Sequence, residues 1–320
     1  MRAWEKGLAF GAAGAGLSLA GVYGAYRYIF DSPRGNQNDD HAMLLSNLPE
    51  ADRARAAALI DDLRARAYET VSITSFDGWK LNGRCYHVRD GAPLAILCHG
   101  YRGTPVRDFC GGAKLCLEGG LNTLLIEQRA HCSSEGHTIS FGINERYDCL
   151  AWCRYAAERF GSGVPIVLMG ISMGAATVLM ASELDLPENV RGIIADCPYT
   201  SPGAIIGKVG EDMGLPAAGV TLAAALGARL FGHFSLDSAS AVSAVRRAKV
   251  PILLIHGEDD GFVPCAMGRE IAAANPEKIE LATFPSAHHG TSYLADTERY
   301  TRIVRAFCER VLGGSAGGPV

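Results

Sequence analysis

Residues 164–180 read Val164-Pro165-Ile166-Val167-Leu168-Met169-Gly170-Ile171-Ser172-Met173-Gly174-Ala175-Ala176-Thr177-Val178-Leu179-Met180. An apolar run, a G-x-S-x-G pentapeptide and a small-residue helical stretch follow one another without a gap. Strand, turn, helix is the context that makes this pattern a nucleophile elbow. A serine in so tight a turn takes strained φ/ψ, and its neighbours two before and two after must be tiny. Gly170 and Gly174 meet that need. The helix that begins after Ser172 brings unpaired N–H groups and a positive dipole end to where an oxyanion would form. The competing reading is a glycine-rich turn with an incidental serine, and the rest of the chain decides between them.

Working outward, Thr70–Phe76 alternates apolar and polar, Asp77-Gly78 makes a hairpin turn, and Leu81–Val88 returns. Leu94–Cys98, Leu121–Ile126, Pro165–Met169, Val190–Ala195 and Val250–Ile255 are short continuous apolar runs, as sheet-centre strands should be. Helical stretches fall between them, at about 105–119, 143–160, 174–184 and 238–247. Alternating units of this kind predict an α/β fold whose mostly parallel sheet is covered by helices on both faces. Ligands in such sheets bind at the carboxyl ends of strands. The chemistry-bearing residues fall there: His99-Gly100-Tyr101-Arg102-Gly103 after 94–98, Ser172 after 165–169, Asp259 and Asp260 after 250–255, and His288 and His289 after a last strand, Ile279–Phe284.

The 320 residues, 48% hydrophobic and 20% charged, suffice for one large α/β domain. A net charge of −4 with no basic block gives nucleic-acid binding no electrostatic footing. The ten cysteines include no CxxC pair. Cys98 and Cys197 read as strand residues. Cys149 and Cys153, one helical turn apart, read as packing rather than as a metal pair. No cofactor and no metal is expected.

Gly7 to Phe30 is apolar and rich in small residues, interrupted late by Arg27. About 20 such residues in a helix span ~30 Å, the thickness of a bilayer core. The expectation is a retained N-terminal membrane anchor over 1–30, with Arg27, Tyr23, Tyr26 and Tyr28 at the interface and the side of the membrane open. A cleaved signal sequence and a buried helix are the alternatives. Gly7/Gly11 and Ala12/Gly16 add small-xxx-small spacing. Residues 31–69 read as a polar linker and a leading surface helix, Ala51 to Tyr68, and 315–320 as a tail.

From about 70 to 312 the chain resembles the α/β-hydrolase superfamily, in the bacterial serine-hydrolase group of esterases, lipases and prolyl-oligopeptidase-like peptidases, including N-terminally anchored members. The matching motifs are His99-Gly100 with Tyr101, Arg129 followed by Ser134-x-Gly136, Gly170-x-Ser172-x-Gly174, His256-Gly257-x-x-Asp260-x-x-Val263-Pro264, and Ala287-x-His289. The chain order Ser, Asp, His is that of α/β-hydrolases. The resemblance implies a sheet of about eight strands and a domain over 70–314. It also implies a Ser172–Asp260–His289 triad. The choice of Asp260 over Asp259 and His289 over His288 rests on the resemblance, because spacing does not separate the neighbours. Two departures from the family pattern lie near the pocket rim: Glu127-Gln128-Arg129 for the usual D-x-R, and Cys132 where glycine is common.

Free serine needs a neutral imidazole to take its proton and an acid to hold that imidazole. The backbone N–H groups of Tyr101 and Met173 are the expected oxyanion hole, leaving the Tyr101 side chain to shape the acyl pocket. His99 is expected to order its loop. Arg129 either anchors a loop through an acid or binds a substrate carboxylate. The apolar segment at about 199–236 is expected to insert a small helical cap over Ser172. The function expected is hydrolysis of a lipophilic or aromatic ester through an acyl-enzyme, with a lipid-like small molecule and the membrane as partners. A prolyl-oligopeptidase-type peptidase, a thioesterase and an inactive binding protein of the same fold are the alternatives.

Overall fold

The computed structural model describes residues 18–32, 48 and 50–313. Eight strands form one sheet in the order β1-β2-β4-β3-β5-β6-β7-β8. They are β1 (Glu69–Thr74), β2 (Lys80–Tyr86), β3 (Leu94–Cys98), β4 (Asn122–Ile126), β5 (Ile166–Ile171), β6 (Val190–Asp196), β7 (Ile252–Gly257) and β8 (Ile279–Phe284). β1 and β2 form the antiparallel hairpin, β2 joins β4 antiparallel, and every pairing from β4 to β8 is parallel. This is the α/β-hydrolase sheet the sequence predicts.

The continuous apolar runs have a simple cause: both faces of the inner strands are buried. Leu94, Ile96 and Cys98 of β3 join a core with Trp152 and Leu179 on one face, while Ala95 and Leu97 join Phe109, Val304 and Phe307 on the other. The helices at Glu145–Phe160 and Met173–Ala181 cover the first face, and those at Glu50–Ala65, Pro105–Glu118 and Thr297–Leu312 cover the second. The leading helix is shorter than expected. It is also less of a surface element, since Ile60 and Leu63 are fully buried. The third core cluster lies beyond the carboxyl ends of the strands, where Met173, Phe141 and Tyr199 meet Ile205 and Ile206 of the helix Pro202–Asp212 and Ala224 and Ala228 of the helix Ala217–Phe231. The expected helix at 238–247 is reduced to Ala241–Val245.

Register aligns the strand ends that matter: Cys98 pairs with Gly170, Ile171 with Asp196, and Asp196 with Ile255. The loops leaving β3, β5, β6, β7 and β8 therefore emerge along one edge.

The N-terminal helix behaves differently from the expectation for its last turns. Residues 18–30 are helical; of the residues expected at a bilayer interface, Tyr26 is buried on the domain together with Phe30, while Tyr23, Arg27 and Tyr28 are exposed. Phe30 packs edge-on against Phe141 and Phe234, and the Tyr26 hydroxyl lies 2.7 Å from Thr138 Oγ1. The chain then pairs in extended fashion, with Ser32 N–H donating to His137 O and Ile139 N–H to Phe30 O. Among the described residues no helix is long and apolar enough to cross a membrane. Gly7/Gly11 and Ala12/Gly16 lie outside the described residues.

Candidate active site

Ser172 sits at φ 55°, ψ −116°, a strained conformation for a residue with a Cβ. Its flanking glycines explain how the turn closes. A Cβ on Gly170 would lie 2.3 Å from Gly174 O, and one on Gly174 would lie 1.8 Å from Cys98 O. Ser172 N–H donates to Asp196 O, which ties the turn to the neighbouring strand.

The Ser172 hydroxyl lies 2.8 Å from His289 Nε2, and His289 Nδ1 lies 2.8 Å from Asp260 Oδ2. Asp260 is buried, and its other oxygen accepts the N–H groups of Phe262 and Val263 at 3.0 and 2.8 Å. With both oxygens occupied by donors, the carboxylate holds the Nδ1 proton of His289 and leaves Nε2 as the acceptor for Ser172. The neighbouring pair is engaged elsewhere: His288 Nδ1 bonds the backbone oxygen of Asp259 at 3.0 Å and is exposed. Gly257 lets the histidine loop cross the end of β7, since a Cβ there would meet Ala287 O at 2.2 Å.

The Tyr101 turn reaches the same place. A Cβ on Gly100 would stand 3.4 Å from Ser172 Cβ. Among the described residues, neither Tyr101 N–H nor Met173 N–H donates to a protein acceptor. Met173 opens its helix, where the first N–H groups have no intrahelical partner. The Tyr101 side chain is less free than expected, because its hydroxyl donates to Ile29 O at 2.7 Å.

The turn is braced from below by two neutral histidines. His99 is buried, accepts Gln128 N–H on Nε2 and bonds Gly100 O through Nδ1, which is the loop-ordering role expected of it. His131 accepts Arg102 N–H on Nε2 at 3.0 Å and bonds Arg129 O through Nδ1. Burial, reinforced by the nearby His99, pushes the His131 pKa down to about 3. The sequence offered no signal for His131 beyond its place in the loop.

Arg129 is buried and donates two hydrogen bonds to Asp148 (2.6 and 2.7 Å) and two to Asp77. Burial opposes its charge, but the two carboxylates outweigh that and raise its pKa. The geometry selects the anchoring role over a substrate carboxylate. Cys132 has φ 49°, which accounts for the glycine usual at this position. Cys197 does not belong to a strand; it turns at φ 50° just past β6. Beside it, Asp196 is buried, and its carboxyl is pushed up to about 7 by desolvation against the hydrogen bonds of Tyr300 and Ser292.

Cys197, Asp260 and His289 bring one ligand atom each within 4.8 Å, the single such grouping among the described residues. Both ring nitrogens of His289 are already engaged by Asp260 and Ser172, so the group offers no free imidazole lone pair. Cys149 and Cys153 are fully buried beside Cys98 in the sheet core, as packing residues.

Ser172 opens into a cavity of about 690 Å³ bounded by Ile205, Val209 and Val220 of the overlying helices, by Tyr199 and Phe262 from loops, and by residues of the helix covering 18–30. Among the described residues no carboxylate lines it. The volume falls in the roughly 300–1,000 Å³ range of small-molecule sites.

The sheet and the serine-bearing elbow define a serine hydrolase of the α/β-hydrolase superfamily. The chain belongs to the prolyl oligopeptidase family, whose profile matches residues 139–315. Protein YqkD of Bacillus subtilis is 25% identical over 242 residues, covering 75% of this chain and 78% of its own. The Pyrococcus furiosus esterase Pf2001 superposes with TM-score 0.64 at 23% identity, over 79% of this chain and 96% of that one. Est1E from Butyrivibrio proteoclasticus, solved with ferulic acid bound, superposes with TM-score 0.57 at 21% identity, over 75% and 98%.

Proposed function

We propose that this hydrolase cleaves a carboxylic ester with a lipophilic or aromatic acyl group, through an acyl-enzyme on Ser172. The observation that carries the reading is the unbroken Ser172–His289–Asp260 chain of hydrogen bonds opening onto an apolar cavity. Ser172 Oγ attacks the acyl carbon as its proton passes to His289 Nε2. Asp260 stabilises the imidazolium that forms. The developing oxyanion accepts from Tyr101 and Met173 N–H. His289 then protonates the departing alkoxide, and water repeats the sequence to free the acid. Each CH₂ of an acyl chain buried in the cavity would contribute up to about 0.8 kcal/mol.

The family name favours a second reading, a peptidase. A peptidase that holds a free amine needs a carboxylate near the cleaved bond, and among the described residues lining this cavity there is none. Turnover of p-nitrophenyl esters from acetyl to palmitoyl, set beside an aminoacyl-p-nitroanilide and an acyl thioester, separates the readings. Ester turnover lost in Ser172→Ala supports the proposal; anilide turnover with no ester preference moves the peptidase ahead; thioester preference moves the thioesterase ahead.

We also propose that the N-terminal segment tethers the enzyme to a membrane. Support comes from the apolar composition of 7–30 and from the exposure of Leu19 and Tyr23 and of Leu222, Leu226 and Leu230 on the helix Ala217–Phe231, two helices that meet where Tyr23 packs on Phe231. Retention of the full chain in alkaline-washed membranes is the expected result. Release into the wash would refute the tether.

A further inference from the structure

The helix covering 18–30 touches the site in two ways. Its residues Gly24, Ala25, Tyr28 and Ile29 form one side of the cavity that opens on Ser172. Its last carbonyls, which have no partner within the helix, accept hydrogen bonds from the turn that carries the expected oxyanion donor. Tyr101 Oη donates to Ile29 O at 2.7 Å, and Arg102 Nη2 donates to Tyr28 O at 2.8 Å and Asp31 O at 3.0 Å. The helix is also seated by close approach. Gly227 lies so near that a Cβ on it would stand 2.9 Å from Tyr26 Cβ. A segment that reads from sequence as a tether is thus also a wall of the cavity.

We infer that this helix is a specificity wall, whose Gly24 leaves the room in which the distal part of a long acyl chain lies. The inference rests on Ser172 being the nucleophile and deepens the ester reading by naming what measures the chain. Gly24 is exposed to the cavity, and a Cβ placed on it meets nothing within 4 Å. A side chain begun there starts in open space beside the cavity. Gly21, one turn earlier, also meets nothing within 4 Å but does not line the cavity. Glycine-to-leucine changes raise helix propensity alike at the two positions, so Gly21→Leu controls for every effect except obstruction.

The test uses the full chain and two fluorophosphonates, one ethyl and one dodecyl, with the Ser172 adduct followed by mass spectrometry. The expected result is that the dodecyl-to-ethyl ratio of labelling rates falls at least tenfold in Gly24→Leu and holds at the wild-type value in Gly21→Leu. An unchanged ratio in Gly24→Leu, or an equal fall in both variants, overturns the wall. Length-sorted labelling without ester turnover would sink the ester reading and leave the wall standing. Ester turnover with an unchanged ratio would do the reverse. A wild-type chain whose Ser172 takes up neither probe would overturn both.

Discussion

Gly174 faces the carbonyl oxygen of Cys98 so closely that a Cβ would stand 1.8 Å from it, with His99 O at 2.6 Å. The serine turn and the end of β3 can share this space only while position 174 is glycine. Gly174→Ala must therefore push the elbow away from the Tyr101 turn. Overpacking of this kind costs about 1–3 kcal/mol, sometimes more, and a misplacement near 1 Å can cost about 10²-fold in rate. The expected outcome is a lowered melting temperature together with fluorophosphonate labelling slowed by about that factor. Labelling at the wild-type rate would refute this account of the elbow.

Asp260→Asn keeps the size of the side chain and can still accept Phe262 and Val263 N–H through its one remaining oxygen. Its amide, however, presents N–H to His289 Nδ1 and favours the tautomer that places a proton on Nε2, facing Ser172. Loss of turnover on the order of 10⁴-fold is expected, as for the same change in the Ser-His-Asp triad of serine proteases. The melting temperature should move little. Comparing kcat and thermal melts for the two proteins checks both halves.

Acid should loosen the Tyr101 turn through His131. Its native pKa lies at about 3, below the ordinary histidine value near 6.5, so between those limits the unfolded chain binds a proton that the native chain refuses. Stability then rises with pH across that window. Equivalently, the contribution is complete above about 6.5 and is lost as pH falls toward 3, by up to about 1.4 kcal/mol per pH unit for this one group. Urea melts at pH 7, 6, 5 and 4 should show His131→Asn losing less stability on acidification than the wild type. Parallel losses would contradict the assignment.

Arg129→Met strands Asp148, whose side chain is 3% exposed, without its guanidinium partner. Breaking a buried pair from one side costs about 3–5 kcal/mol, whereas replacing both partners by apolar groups is often close to neutral. Denaturant titration should find the single variant strongly destabilised and Arg129→Met with Asp148→Leu partly restored. An equally unstable double variant would mean that Asp77 and the cation–π contact with Phe76 matter more than the Asp148 pair.

The apolar strands were legible because burial on both faces leaves a sequence signature, unbroken in β3 and interrupted in β6 only by the exposed Arg191 and by Gly192 before the closing Asp196. The pieces of the site were legible because each falls just past such a strand. Choosing Asp260 and His289 over their neighbours was not, since the difference lies in which carboxylate meets which ring, and resemblance had to supply it. Tyr26 and Phe30 show the other limit. An apolar stretch declares that it will leave water, but a lipid and a groove lined by Phe141, Phe231 and Phe234 satisfy it equally. His131 was illegible for a related reason: its role depends on an Arg102 N–H that lies 29 residues away in sequence.

The alignment of strand ends along one edge also sets an order of events. Ser172 and His289 meet across 117 residues, and β7 and β8 must join β6 before the loops carrying Asp260 and His289 stand near the elbow. Closing such long loops is entropically costly and kinetically slow. During synthesis the elbow, carried by β5, leaves the ribosome well before its base. On the mechanism proposed above, a nascent or truncated chain thus holds an unactivated serine, and hydrolysis begins only when the C-terminal strands have docked.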